Sequence, residues 1–166
     1  MADPGGFRIR TGTTDDFDFF QEMELETTWE NLSPEDRSRL TRAQVSEALR
    51  ETHDILLARL GNTLFIAETE TGERAGLLWF GESRNLVTGE IEGWVYNVSV
   101  APPFRGRGLG ALLMRHAEAH AREQGYGQIG LMVALHNDVA RHLYAKMGFA
   151  ESNIVMRKRL KPPPRR

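Results

Sequence analysis

The sequence predicts an α/β domain in which a mixed sheet carries helices on both faces. Three observations lead there. Two apolar segments, Thr63–Thr69 and Ala75–Phe80, flank the turn Glu70-Thr71-Gly72-Glu73. A long strand runs through a glycine-rich turn straight into an amphipathic helix, with another strand after it. A helical region with readable caps precedes both. Strand, helix and strand in succession require helices packed across a sheet.

A chain of 166 residues suits one domain with one sizeable core. The unit is expected over residues 1–166, with about 1–6 and 161–166 as loose ends.

The elements follow in order. Phe7-Arg8-Ile9-Arg10 alternates as a short strand. Thr13 or Thr14 can cap a helix whose first turn holds Asp15 and Asp16, acids favoured at the positive end of the helix dipole. Phe17, Phe20, Met23 and Leu25 give it an apolar stripe. Ser33-Pro34-Glu35-Asp36 supplies a cap, a first-turn proline and two acids for a second helix. Thr41 and Gln44, at capping-box spacing, can restart it. Gly61-Asn62 ends the helical region. Thr63–Thr69 and Ala75–Phe80 then read as a hairpin. After a loop at Gly81–Gly89, Glu90–Val100 is a long strand rich in Trp, Tyr and Val, stopped by Pro102-Pro103. Gly108 to Gln124 reads as a helix with Leu109, Leu112, Leu113, His116 and Ala117 on one face, closed by Gly125. Ile129–Ala134 is a buried-type strand, Asn137–Met147 a helix ended by Gly148, and Ile154–Leu160 a last strand.

Composition narrows the chemistry. There is no cysteine, so disulfides, a thiolate nucleophile and Cys-ligated zinc are excluded. No apolar run approaches 18 residues and the start lacks an apolar signal region, so a cytoplasmic protein with no membrane partner is expected. Net charge is −2 but unevenly spread. Residues 13–60 hold 12 acids against five Lys/Arg, and residues 101–166 hold 12 Lys/Arg against four acids. Two solvated faces of opposite sign would explain this. So would an anion bound by the C-terminal half and a cation drawn to the N-terminal half.

Arg105-Gly106-Arg107-Gly108-Leu109-Gly110 is the segment richest in chemistry. Glycine lets a backbone approach a ligand closely, and a helix start offers unpaired N–H groups and partial positive charge. With two arginines, the turn suits a pyrophosphate. A tight strand-to-helix turn would also need glycine. A dinucleotide fingerprint fits Gly106-x-Gly108-x-x-Ala111 by its letters, but it expects an acid about 20 residues on, and positions 125–135 contain none. The P-loop pattern fails for want of Gly-Lys-Ser/Thr.

Arg105-x-x-Gly108-x-Gly110 resembles the Arg/Gln-x-x-Gly-x-Gly/Ala signature of the GNAT superfamily of acyl-CoA-dependent N-acyltransferases. The strand end Tyr96-Asn97-Val98-Ser99-Val100-x-Pro102 and the segment Asn137-x-x-Ala140-x-x-Leu143-Tyr144-x-x-Met147-Gly148-Phe149 resemble further parts of that family. The matches cover about 60 residues; residues 13–60 carry none.

The resemblance implies a mostly antiparallel central sheet whose strands splay at the cofactor site. It implies acetyl-CoA as acyl donor, its pantetheine beside the backbone of Val98 and Val100. The pyrophosphate would lie on the N–H groups of Gly106, Arg107, Gly108, Leu109, Gly110 and Ala111, next to Arg105, with Asn137 bonding the pantetheine arm. Asn137 as a plain helix cap is the simpler alternative. Tyr144 would protonate the departing thiolate; packing against Phe149 is its structural alternative. Glu92, on the strand face of Trp94 and Tyr96, is the candidate base for the acceptor ammonium, with Glu90 as fallback; a solvent-facing strand acid is the other reading. With no cysteine to carry the acyl group, the amine would attack the thioester directly in a ternary complex.

The acceptor is expected to be a small-molecule amine or peptide, cationic in view of the acidic N-terminal half: a polyamine, an aminoglycoside or a basic peptide. Trp29 with Glu26 and Glu30 would receive its ammonium, and Tyr96 and Asn97 complete the acceptor set. No nucleic-acid partner is expected, and a homodimer is in keeping with the family. His116 and His120 have the spacing of helical metal ligands but no evident third ligand, so no metal site is assigned. A non-catalytic acyl-CoA sensor of the same fold is the competing class of function.

Overall fold

The computed structural model describes residues 6–57, 61–158 and 160. Of the loose ends expected at about 1–6 and 161–166, residues 1–5 and 161–166 lie outside them. In chain order the elements are β1 (Phe7–Thr11), a 3-10 turn (Thr14–Asp16), α1 (Phe17–Asn31), α2 (Pro34–Arg39), α3 (Arg42–Leu57), β2 (Thr63–Thr69), β3 (Arg74–Arg84), β4 (Ile91–Val100), a second 3-10 turn (Pro102–Phe104), α4 (Leu109–Glu123), β5 (Ile129–Leu131) and α5 (Asp138–Lys146). The sheet runs β1-β2-β3-β4-β5. Its first four strands are antiparallel, and β5 joins β4 in parallel. This is the mixed, mostly antiparallel α/β sheet the sequence predicts.

Successive strand residues face opposite sides of a sheet, which sorts the helices. A Cβ on Gly76 would meet the side chains of Leu113 and Leu109, so that face belongs to α4. Trp79, of opposite parity, meets Phe20 of α1 and His53 of α3 on the other face. Ile66, Leu77, Leu78, Leu113 and Met114 are fully buried between these layers.

Side-chain caps set the helix starts. Ser33 Oγ accepts from the Asp36 N–H at 3.0 Å with Pro34 behind it, and Thr41 and Gln44 form the expected reciprocal pair. Thr13 and Asp16 form a box of their own. Asp16 then turns into the protein, fully buried, and takes Arg10 and Arg74 at 2.7–2.9 Å. The Arg10 guanidinium, together with the Thr13 N–H and Arg74, holds the Asp16 carboxyl well below the usual carboxylate range against the opposing effect of burial.

Four expectations are corrected. The α1 stripe is Phe20, Met23 and Glu24; Phe17 is 43% exposed and Leu25 only half-buried. The loop expected at Gly81–Gly89 is shorter, because β3 stays paired with β4 as far as Arg84 and Ile91. Cross-strand bonding there outweighs the polar sequence. β5 stops at Leu131 rather than residue 134. The strand expected at Ile154–Leu160 does not form over its described residues, 159 lying outside them, and Ile154, Val155 and Met156 are exposed. A three-residue β5 offers such a strand little edge to join.

Candidate active site

The sheet opens at one point. β4 and β5 pair over Gly93–Ile129, Trp94–Gly130 and Val95–Leu131, and no further. The β3–β4 register shifts at the same place, from Trp79–Asn97 to Phe80–Val95, so Tyr96 is an extra residue on β4. Such a bulge bends its strand and increases its twist. Beyond it, β4 runs from Asn97 to Val100 with no partner on the β5 side among the described residues. Gly130 is required in the paired stretch: a Cβ there would come within 2.6 Å of the Trp94 ring.

After β4 the chain turns at Pro102–Phe104 and enters the glycine loop. Gly106 and Gly108 sit at φ +73° and +79°, a region other residues rarely adopt, and a Cβ on either would meet no protein atom. Gly108 is the N-cap of α4, and its carbonyl takes the Leu112 N–H at 3.1 Å. The N–H groups of Leu109, Gly110 and Ala111 precede that first bond, so helix geometry gives them no intrahelical acceptor. An open backbone cradle at a helix start fits a pyrophosphate.

The two arginines are engaged elsewhere. Arg105 donates from Nε to the Val100 carbonyl at 3.1 Å and from Nη2 to both Glu30 oxygens at 3.0 and 3.1 Å. Arg107 lies over the Phe7 and Phe104 rings at 5.3 and 5.8 Å. What the turn leaves open is therefore backbone rather than arginine side chain.

Tyr144 lies on α5, half-buried against Phe149 with ring centroids 5.8 Å apart. Leu143 beside it reaches the Gly110 face of the loop. Burial raises the Tyr144 phenol above its ordinary value of 10, so it keeps its proton through neutral pH. Glu92 is 5% exposed, and its carboxylate accepts from Asn85 Nδ2 at 3.4 Å. A Cβ on Gly130 would lie 3.5 Å from Glu92 Oε1 and 2.6 Å from the Trp94 ring, so both side chains cover the β4–β5 seam. Glu90 lies just outside β4, exposed.

Several expected roles meet partners already in place. Asn137 caps α5 by accepting from the Ala140 N–H at 3.1 Å, and its Nδ2 donates to Asn31 of α1 at 2.8 Å. The helix-cap reading of Asn137 is thus realised. Asn97 is buried and donates to Glu24. Tyr96 lies against Trp79, centroids 4.8 Å apart, and its hydroxyl donates to the Glu82 carbonyl at 3.1 Å. Glu26 pairs with Arg42, and Trp29 has Arg42 and Arg37 at 5.5 and 6.0 Å from its ring. The ammonium site expected around Trp29 is filled by the chain's own guanidinium groups. A cavity of about 540 Å³ lies away from the loop, between the end of α4 and residues 147–152. One of about 520 Å³, lined by Glu30, Leu32, Pro34, Arg37, Ser38 and His136, adjoins the Arg105–Glu30 pair.

His116 and His120 pack edge-on against Phe65 at 4.5 and 5.0 Å. Burial, and then the neighbouring His120, lower the His116 pKa, with Glu123 opposing. Among the described residues no cluster of three or more His, Asp or Glu could hold a metal. No helix there is long and apolar enough to cross a membrane.

The sequence places Glu24 only among the acids of residues 13–60 that hint at a cationic acceptor and gives His53 no role; the two meet in the core at 3.2 Å. A signal was present. Glu24 follows Phe20 by four residues and His53 follows Val45 by eight, so both fall on apolar helix stripes.

The sheet thus opens beside a helix start whose glycine turn is clear of protein atoms, the geometry expected of a phosphate-binding candidate. The acetyltransferase (GNAT) family model matches residues 23–149. The chain is 38% identical over 91 residues to the N-acetyltransferase YdgE of Bacillus subtilis, covering 55% of this chain and 57% of that one. It is 48% identical over 56 residues to the streptothricin acetyltransferase of Streptomyces lavendulae, covering 34% and 30%. It therefore spans only part of these curated relatives. A crystal structure of a Clostridium acetobutylicum acetyltransferase with acetyl-CoA superposes with a TM-score of 0.70 at 16% identity, covering 92% of this chain and 96% of that one. The chain belongs to the GNAT acetyltransferase family, which uses acetyl-CoA.

Proposed function

We propose that this chain transfers the acetyl group of acetyl-CoA to an amine by direct attack in a ternary complex. The observation that carries the reading is the coincidence of two features. The α4 N-terminus forms an open cradle behind two left-handed glycines, and β4 loses its neighbour just before it. The cradle backbone would hold the pyrophosphate, and the unpartnered β4 edge at Val98 and Val100 would align the pantetheine.

Tyr144 of α5, its phenol kept protonated by burial, gives a proton to the leaving thiolate. Glu92 takes the proton of the acceptor ammonium, directly or through water, because an ammonium has no lone pair for attack. The amine nitrogen then bonds to the acetyl carbon as the carbon–sulfur bond breaks. A backbone N–H at Val98 would polarise the carbonyl.

The acceptor is a small cationic amine or a basic peptide. The streptothricin acetyltransferase relative supports a small-molecule acceptor. Its entry is the cavity of Glu30, Leu32, Arg37 and His136, where Glu30 becomes available only by leaving Arg105. The chain acts in the cytoplasm, and a homodimer remains in keeping with the family. Thiol release from acetyl-CoA, measured with a disulfide reagent across a panel of polyamines, aminoglycosides and basic peptides, tests the reading. The absence of cysteine in the chain removes background from that assay. Amine-dependent release is expected; acetyl-CoA binding without release from any amine would favour a sensor.

A further inference from the structure

Three side chains from three elements meet on the sheet face covered by α1 and α3. Glu24 of α1 is 6% exposed, His53 of α3 3%, and Asn97 of β4 9%. Glu24 Oε2 lies 3.2 Å from His53 Nε2, and Glu24 Oε1 accepts from Asn97 Nδ2. The surroundings are aromatic: the His53 ring is 4.7 Å from Phe20 and 5.5 Å from Trp79. His53 Nδ1 is buried with no partner.

Stability gives little reason for this arrangement. Taking a carboxylate and an imidazole out of water is costly, and apolar residues of similar volume often serve a fold equally well. An unpartnered ring nitrogen adds to the cost. What the network does hold is the bulge. Asn97 follows the extra residue Tyr96, at the point where β4 leaves β5. The two bulge residues are clamped separately: Tyr96 by Trp79 and the Glu82 carbonyl, Asn97 by Glu24. The residue after Asn97 is Val98, whose backbone is aligned with the acetyl donor in the reading above. A hydrogen bond in such a low-dielectric setting is electrostatically stronger than in water, so the Glu24 carboxylate holds the Asn97 amide firmly.

We propose that Glu24 and His53 are positioning residues: through Asn97 they lock the β4 bulge that opens the sheet and aims the Val98 backbone at the acetyl thioester. The pair touches no substrate and transfers no proton in the reaction. This rests on the proposed acetyl-transfer reading and adds the device that sets its geometry. His53 orients the Glu24 carboxylate, and Glu24 orients the Asn97 amide.

Two variants separate positioning from packing and from proton transfer. Glu24→Gln keeps an acceptor for Asn97 but cannot carry the charge. Glu24→Met with His53→Leu removes the network and leaves an apolar core. Backbone amide spectra are recorded with and without acetyl-CoA, alongside thermal unfolding and thiol release with the best amine of the panel. In the parent, acetyl-CoA should shift the amides of Gly108, Gly110 and Val98. Glu24→Gln should behave as the parent, with turnover within about 3-fold. The apolar pair should melt within about 5 °C of the parent, a shift small for a domain of this size. It should still shift the loop amides, lose the Val98 shift, and turn over at least about 10-fold more slowly. The proposal is overturned if the apolar pair keeps the Val98 shift and turnover. It is overturned equally if that pair fails to fold, since the network would then serve stability, or if Glu24→Gln loses as much turnover as the pair. A parent whose loop amides ignore acetyl-CoA would instead count against the cofactor site itself.

Discussion

The half of the molecule from β4 to α5 and the half from α1 to α3 are built on different principles. The first offers its candidate site as backbone: a strand edge with no neighbour among the described residues, two left-handed glycines and a helix start. The second contributes side chains that reach far along the chain. Glu24 meets Asn97, Glu30 meets Arg105, and Asn31 meets Asn137. Helix α1 is thereby tied to β4, to the cradle and to the cap of α5. A backbone site is set by local turn chemistry, whereas the α1 contacts exist only once the whole fold has formed.

That contrast orders the expected effects. The largest belongs to the buried anchor at the head of α1. Asp16→Ala should cost about 3–5 kcal/mol, because Arg10 and Arg74 would both lose a buried partner. Urea unfolding measures it. The Asp16 carboxyl is held below its ordinary value, so its contribution is complete above that value and disappears as pH falls through the lowered range. An Asp16→Ala protein should therefore lack much of the parent's acid-dependent loss of stability.

Tyr144→Phe should lower turnover about 10²-fold while acetyl-CoA affinity stays near the parent's. Steady-state kinetics with calorimetry separates the two. Because burial raises the phenol, any alkaline limb it causes lies above pH 10. Glu92→Gln should lose activity near neutrality and regain it at high pH, where free amine is abundant. A parent-like rate profile would place the base elsewhere.

The smallest effect concerns the acceptor side. Glu26 and Glu30 already hold Arg42 and Arg105 in half-exposed pairs, which contribute only about 0–1 kcal/mol. Replacing both with glutamine should raise the acceptor KM by less than about 10-fold and leave that of acetyl-CoA near the parent's. A much larger rise, weakening with salt, would show that both carboxylates bind the ammonium directly.

The same contrast explains what the sequence disclosed. Gly106, Gly108 and the caps at Ser33, Thr41 and Asn137 were legible because each satisfies a requirement of its own few residues. The element order and the mixed sheet followed from periodicity. The engagement of Arg105 with Glu30 was not legible, since it joins residues 75 apart in the chain. The burial of Glu24 was marked only by its four-residue spacing from Phe20, a signal that its acidic side chain masks. The strand expected at Ile154–Leu160 starts with the apolar run Ile154-Val155-Met156, but such a run alone supplies no edge to pair with. The extension of β3 to Arg84 was hidden for the converse reason, because pairing with Ile91 supplied bonds that the polar sequence did not advertise.

The central claim is that the backbone at Gly106–Ala111 holds the acetyl donor, and calorimetric titration of Gly108→Glu with acetyl-CoA tests it most directly. At φ +79° with open space in front, the new side chain would project bulk and negative charge over the cradle. The variant should be folded, by circular dichroism, and show no measurable binding beside a parent that binds. Unchanged affinity in the folded variant would contradict it.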